Sequence, residues 1–514
     1  MQRLSVFLAF MLAAAVVRGA EPPSGNGSST LVFRSADGKL NYKPYTDRGD
    51  VIPDFSRCGY GGGGVELPTV PVKVTVPSTE AGDDTKRIQA AIDQVAKLSP
   101  DKNGFRGAVL LQRGRYRIED ALRISVSGIV LRGEGQGEDG TVLIGTGKSA
   151  RYLINVGAKS GVSEMKGTRQ RITTDYMPVG ARRFEVKDGS KFKMGDTVLV
   201  ARIGNATWVH ELGMDRIAPR TNAPERTKQW EPFSLNFDRV ITAVDGNHVT
   251  IDAPIVCAIE TRWGGGDVRR YTDRRIEHVG VENLRGESEF DHSVKLKKNG
   301  EYFADEKHAT GLVSFDNVKN AWARDLTAIY FYNGVSWIEG GAKWVTVQDC
   351  TCLDPVSELT GGRRYAFNIN GQLCLIQRCT ARNSRHAFVL GARVPGPNVF
   401  LDCRSEQDHA TSEPHHRWSV GGLYDNVHAP MAIQDRQWLG SGHGWAGANY
   451  MVWNGEGTLV CQQPPTAQNF AIGFVGKPGE AAFERPNGWW ESKGQHVEPR
   501  SLYLKQLEDR LKSK

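Results

Sequence analysis

Apolar residues fall in short alternating runs along most of this chain, and from residue 276 the runs repeat. Five stretches align: IEHVGVENLRG (276–286), VKNAWARDLTA (318–328), AKWVTVQDCTC (342–352), QLCLIQRCTAR (372–382) and GPNVFLDCRSE (396–406). One small or apolar position recurs as Leu284, Leu326, Cys350, Cys379 and Cys403, at intervals of 42, 24, 29 and 24 residues. A basic period of 24 with insertions predicts stacked solenoid coils. Equivalent residues then lie over one another at about 4.8 Å. The three cysteines are expected as an inward ladder of reduced thiols, because that spacing exceeds the ~3.8 Å Cβ separation of a disulfide.

Ahead of the repeats, residues 80–98 place Ile88, Ala91, Ile92 and Val95 at helical spacing behind Asp83 and Asp84, so a short capping helix is expected. Residues 107–147 are a train of short strands separated by glycines and polar turns. The segments DDTKRIQAAID, GAVLLQRGRYRI, ALRISVSGIVLRGEGQG and TVLIG resemble the opening of the pectate-lyase-like superfamily. The resemblance covers about residues 80–147 and continues as a repeat pattern over 276–461. It implies a right-handed parallel β-helix with an N-terminal capping helix, in a superfamily of polysaccharide lyases, glycoside hydrolases, epimerases and phage tailspikes.

Residues 150–275 break the rhythm. RFEVKDGSKFKMGDTVLVAR and RVITAVDGNHVTIDAPI alternate with Asp-Gly turns, which predicts an inserted small antiparallel β domain. It is either a flap over a binding groove or a structural decoration. The expected organisation is a signal peptide over 1–20, a leader and first strands over 21–79, and the capping helix with the first coils over 80–149. The inserted domain (150–275), further coils carrying the active face (276–463) and a tail with a short helix (464–514) follow. The signal reading rests on Arg3, the apolar run Leu4–Val17 and the small residues Gly19 and Ala20, and it implies a secreted or periplasmic location. That apolar run is too short to span a bilayer.

Composition narrows this further. Hydrophobic residues at 39% can build a core, and 58 glycines among 514 residues favour strands and tight turns over a helical bundle. The net charge of +7 suits an acidic partner, yet no basic run points to nucleic acid. A monomer is expected.

The repeat also sorts the polar residues. Stretches that follow the ladder position should leave each coil at one corner and re-enter a strand as GVSWIE, AFNIN, AFVLG and SVGGLYDN. This places Tyr330, Tyr332, Glu358, Arg363, Arg364, Tyr365, Arg385, His386, His409, His415, His416, Arg417 and Trp418 along one face. The strands that follow add Glu339, Asn368, Asn370, Arg393 and Asp425. A strip of Arg and His repels itself unless an anion offsets it, Arg grips carboxylates, and aromatic rings offer flat surfaces to sugars. An acidic polysaccharide fits all three features.

The chemistry expected is β-elimination from a uronic acid residue, which needs a cation on the carboxylate, a base for C5–H and an acid for the leaving oxygen. Arg364 or Arg417 is the candidate neutraliser, His386 or His416 the base, and Tyr365 or Tyr332 the acid. Arg385 and His415 complete the catalytic set. Tyr330, Tyr332, Glu358, Arg363, Asn368, Arg393, Trp418 and Asp425 are the substrate-binding candidates. The alternatives are a glycoside hydrolase pairing Glu358 with Glu339 or Asp425, and a non-catalytic carbohydrate-binding surface protein. No cofactor is expected. Calcium, used by many pectate lyases, lacks an Asp cluster, since Asp349 and Asp402 stand alone in their coils. A transition metal on Asp408, His409, His415 and His416 matches no familiar ligand spacing.

Overall fold

Each coil turns on a residue with left-handed backbone. Asn283, Asp325, Asp349, Arg378, Asp402, Asn426 and Asn454 have φ between 50° and 56°, and the first five immediately precede the recurring apolar positions. Asn and Asp tolerate this conformation better than other side chains. The one arginine in the series is held by the Asp349 carboxylate of the coil below, at 2.7 and 2.8 Å. The chain is described by a computed structural model over residues 27–79, 82–296 and 301–513.

Between these corners the strands pair in parallel, coil upon coil, as a right-handed parallel β-helix. Leu284 lies in register with Leu326, and Thr327, Thr351, Thr380 and Arg404 follow one another across successive rungs. Leu326, Cys350, Cys379 and Cys403 are therefore stacked neighbours, each at most 1% exposed. All eight cysteines are free and buried. Burial pushes the Cys379 thiol well above its ordinary value, so the ladder behaves as small apolar side chains.

One lateral wall positions the site. It is a seven-stranded parallel sheet of Leu122–Ile124, Tyr152–Val156, Gly311–Phe315, Ser336–Ile338, Tyr365–Ile369, His386–Ala392 and Glu413–His416. Its inner row runs Ile124, Val156, Phe315, Ile338, Ile369, Leu390. Its outer row runs Asn155, Ser314, Trp337, Asn368, Val389, Glu413. The period of two in strands separates these rows cleanly.

At the N-terminal end the helix Thr85–Ala96 buries Ile88, Ala91, Ile92 and Val95 on the first coils. Between Tyr152–Val156 and the resumption of the coils at Ile276–Ser288, the chain builds an antiparallel sheet from Val162–Glu164, Gly266–Asp273, Thr197–Ile203, Ser234–Asp245, His248–Ile251 and Arg183–Glu185. Its core contains Trp208, Phe237 and Val200 and continues into the solenoid through Trp418, Val420, Trp445 and Ala448. Asp238 adds polar staples, with Lys343 Nζ at 2.7 Å, Arg275 Nη1 at 2.9 Å and Tyr271 Oη at 2.7 Å. The inserted sheet is thus a fixed wall.

The helix Leu502–Lys512 docks along the opposite side of the coils, where Leu502 and Tyr503 pack with Leu401, Leu423 and Trp453. Its buried face is not a leucine stripe: Leu504 and Leu511 are 42% and 43% exposed, while Tyr503 and Gln506 are buried. No helix among the described residues is long and apolar enough to cross a membrane. The expected signal peptide, residues 1–20, lies outside the described residues.

One strand was misplaced by the repeat reading. SVGGLYDN lies in the other face of the coil, with Asp425 in register with Leu401 and Trp453. The strand Glu413–His416 takes its place in the lateral wall.

Candidate active site

Between the lateral wall and the inserted sheet lies a cleft of about 730 Å³. Trp337, Glu339, Tyr365, Asn368, Asn370, Arg393, His415 and His416 line one side, and Leu199, Ser234, Asn236 and Asp238 the other. Trp337 and Tyr365 stack in parallel, centroids 5.9 Å apart. Asn370 donates to Glu339 Oε2 at 3.3 Å. Gly391 makes room for this pair, because a Cβ there would stand 1.9 Å from Asn370 Oδ1. Arg393 follows Ala392, the register partner of His416, and reaches across to lie over the Phe233 ring at 4.2 Å.

At one end of the cleft the imidazoles gather. His415 Nδ1 and His416 Nδ1 are 3.0 Å apart, and His443 lies against both rings, at 4.9 and 4.8 Å. His386 packs edge-on to Tyr365 and His415, each at 5.1 Å, and its Nδ1 donates to the Thr411 carbonyl at 2.6 Å. Burial, reinforced by Arg417 and Arg436, lowers His416 to about 4. Burial beside Arg436 lowers His443 to about 2 and His415 well below its ordinary value. His386 is lowered well below it too, by burial and then Arg385. At neutral pH these rings are uncharged bases among permanently charged guanidiniums. Burial raises Tyr365 to about 12 and raises Glu339 above the usual carboxylate range. Asn368 Nδ2, His386 Nε2, His415 Nε2 and His443 Nδ1 are sealed from solvent and make no hydrogen bond among the described residues.

Of the residues singled out from sequence, Glu339, Tyr365, Asn368, Asn370, Arg393, His415 and His416 line the cleft, and His386 stands directly behind them. Arg385 bonds the Gly361 carbonyl, and Arg417 bonds the Ser441 carbonyl and hydroxyl at 2.9 and 2.7 Å. Others are corrected. Arg364 is 1% exposed and donates to the Ser357 and Phe303 carbonyls, so it braces a loop. Trp418 is fully buried against Trp208 in the joint with the inserted sheet. Asp425 is fully buried beneath the C-terminal helix, on the other side of the coils. Arg363 is ion-paired with Glu306, whose carboxylate also accepts from the Glu358 amide. Tyr332 lies beside that pair and Tyr330 packs on Phe290 at 5.5 Å, so these four residues belong to a loop cluster that does not line the cleft.

Sequence reasoning missed Trp337, Glu413, Arg436 and His443, while the inserted sheet does border the groove, as one of its two expected roles required. Trp337 carried a usable signal, being the outward alternate of an aligned strand. Arg436 and His443 lie beyond the last aligned repeat.

His409 packs on Tyr302 and Asp408 accepts from Ser405, so the metal set considered from sequence does not assemble. Instead His386, Glu413 and His415 bring potential ligand atoms within 4.8 Å of one another. Both Glu413 oxygens are already engaged, with Arg436 Nη1 at 2.5 Å and Thr411 Oγ1 at 2.8 Å. A dication would share that carboxylate with a guanidinium, so the donor set suits an ion-paired acid better than a metal.

No family model matches the chain, and no curated protein matches it. Among solved structures, the chain is similar to the tailspike gp61 of Pseudomonas phage phi297, with 15% identity, 78% of this chain and 58% of that chain covered, and a TM-score of 0.41. It is similar to ORF18 of Geobacillus virus E2, with 13% identity, 80% and 60% coverage, and a TM-score of 0.40. A third is the mannuronan C-5 epimerase A-module of Azotobacter vinelandii, with 11% identity, 82% and 96% coverage, and a TM-score of 0.33. The chain thus spans about three fifths of the first two structures. The strand register itself defines the class: a parallel β-helix with an inserted antiparallel sheet walling a lateral cleft.

Proposed function

We propose that the chain is a polysaccharide-active enzyme, a lyase that cleaves an acidic, uronate-containing polymer by β-elimination in this cleft. The observation that carries the reading is a neutral, cleft-lining imidazole, His416, beside Arg393, a guanidinium with no ion-pair partner among the described residues.

In this scheme Arg393 binds the uronate carboxylate and offsets its charge, which acidifies C5–H. His416 takes that proton at Nε2, in the tautomer whose Nδ1–H donates to His415. The C5–H electron pair becomes the C4=C5 double bond as C4–O breaks. The departing oxygen takes its proton from the Tyr365 hydroxyl, which burial keeps protonated. Trp337 supplies a ring surface for the sugar, and Asn368 borders it. A glycoside hydrolase would need two free carboxylates across the bond. The cleft offers Glu339, but its other lining carboxylate, Asp238, is consumed by Lys343, Arg275 and Tyr271. A location outside the cytosol belongs to the same proposal.

The test is incubation with pectic, alginate-type, glucuronan and sulfated polymers. Unsaturated products absorbing in the ultraviolet, formed by the wild type and lost in His416→Ala, are expected. New reducing ends without that absorbance would mean hydrolysis, and neither product from any polymer would leave a binding protein.

A further inference from the structure

A second pocket, of about 370 Å³, lies away from the cleft, between residues 45–50, the inserted sheet and the loop 463–468. Its floor contains Arg202, and this residue breaks the pattern of its own strand. In Thr197–Ile203 the side chains of Val198 and Val200 face the core of the inserted domain, and both are fully buried. The next residue on that face is an arginine, 2% exposed. Alternation calls for an apolar side chain there. The guanidinium instead lies over the Trp208 ring at 3.7 Å, with Nε and Nη1 sealed from solvent and unbonded. Nearby Glu260 offsets its charge only in part, because Arg48 and Arg262 each hold that carboxylate at 2.6 Å.

The same domain shows what a purely structural buried arginine looks like. Arg239 is fully buried, and its guanidinium donates to the carbonyls of Asp238, Ala253, Pro254 and Gly396 and to Gln372 Oε1. Arg202 has no such set. A buried cation without a counter-ion is strongly unfavourable, and the pocket in front of it is open.

We infer that this pocket binds a small oxyanion on Arg202, either the carboxylate of an acidic saccharide or a free inorganic anion. A charge-assisted contact with the edge of the guanidinium that borders the pocket holds the ligand. Thr466 borders the pocket and accepts from Trp208 Nε1 at 3.2 Å, which leaves its hydroxyl proton to donate. The volume falls within the ~300–1,000 Å³ usual for small-molecule sites.

The experiment is calorimetric titration of the full chain, in a buffer free of oxyanions, with galacturonate, sulfate and phosphate, and with galactose as the neutral control. Binding of galacturonate, or of the inorganic anions, with no binding of galactose is expected. Galacturonate alone identifies an acidic saccharide, and sulfate or phosphate alone a free anion. Arg202→Met should weaken the interaction at least about tenfold, the scale of a lost charge-assisted hydrogen bond. His416→Ala, in the cleft, should leave it unchanged. No heat with any anion in the wild type overturns the inference, even if Arg202→Met fails to fold. Undiminished binding in folded Arg202→Met, or binding lost in His416→Ala, overturns it as well.

Discussion

The two sides of the same coils bury titratable groups in different ways. On the cleft side, His386, His415 and His443 each keep a sealed ring nitrogen with no partner, and Asn368 keeps a free amide nitrogen. On the far side, Asp425 accepts from the Ser501 hydroxyl at 2.7 Å and from the Tyr503 amide and Asn426 at 2.8 Å. There Trp453 donates to the Pro499 carbonyl, and Gln506 bonds both Phe55 and Pro53. Burial raises Asp425 to about 7 and lowers His416 to about 4, so both lie far from their ordinary values. A shifted pKa therefore does not separate a site from a brace. What separates them is whether hydrogen-bonding capacity is spent internally and whether the group borders an opening.

The largest effect expected from this contrast is catalytic. Removing the base in His416→Ala should lower the elimination rate by roughly 10²–10⁴-fold with little change in Tm, since removal of a general base typically costs that much. Asp425→Asn should do the reverse, keeping the rate within a factor of about two while losing ~1–3 kcal/mol of stability, because a buried acceptor set is broken. Progress curves and denaturant melts on the same preparations check both. Equal loss of activity in the two variants would erase the distinction between the sides.

Next in size is the joint behind the imidazoles. Arg436 is the ion-pair partner of Glu413, at 2.5 Å, and Glu413 is 2% exposed. Arg436→Met leaves a buried carboxylate without its cation, a change that costs ~3–5 kcal/mol where the charge persists. Burial already raises Glu413, so protonation limits the loss, and the variant should be markedly more stable at acidic than at neutral pH relative to the wild type. Urea melts at two pH values check this.

The same contrast explains what could be read from sequence. The coil register was legible because each rung repeats a small apolar residue behind an Asn, Asp or, once, Arg in left-handed conformation, as at Asp349-Cys350 and Asp402-Cys403. The local physics of the corner writes itself into the residue types. The strand Glu413–His416 was not legible, since EPHH carries neither alternation nor β-branching, and the next alternating run, SVGGLYDN, was given its place. That slip put Asp425 and Trp418 on the wrong side. Arg364 and His416 look alike as charged or titratable loop residues. Only tertiary packing separates them: Arg364 is spent on the Ser357 and Phe303 carbonyls, while His416 faces the cleft walled by the inserted sheet.

The last contrast concerns pH, because His416 on one side and Asp425 on the other push stability in opposite directions. His416 falls from 6.5 to about 4 on folding, among Arg393, Arg417 and Arg436. The unfolded chain takes up its proton first, so this group withdraws stability as pH falls from 6.5 to about 4. Asp425 rises from 3.8 to about 7 beneath Ser501 and Tyr503, with Asp402 and Arg500 nearby. Here the folded chain takes up the proton first, so stability grows as pH falls from about 7 to 3.8. Each unit corresponds to ~1.4 kcal/mol, and the two spans are similar, so they largely cancel in the wild type. His386, His415 and His443 are lowered as well and tilt the balance toward acid loss. The variants separate the terms. Relative to the wild type, His416→Ala should become more stable between pH 6.5 and 4, and Asp425→Asn less stable over the same interval. Parallel Tm curves for all three proteins would show that neither group titrates as its surroundings require.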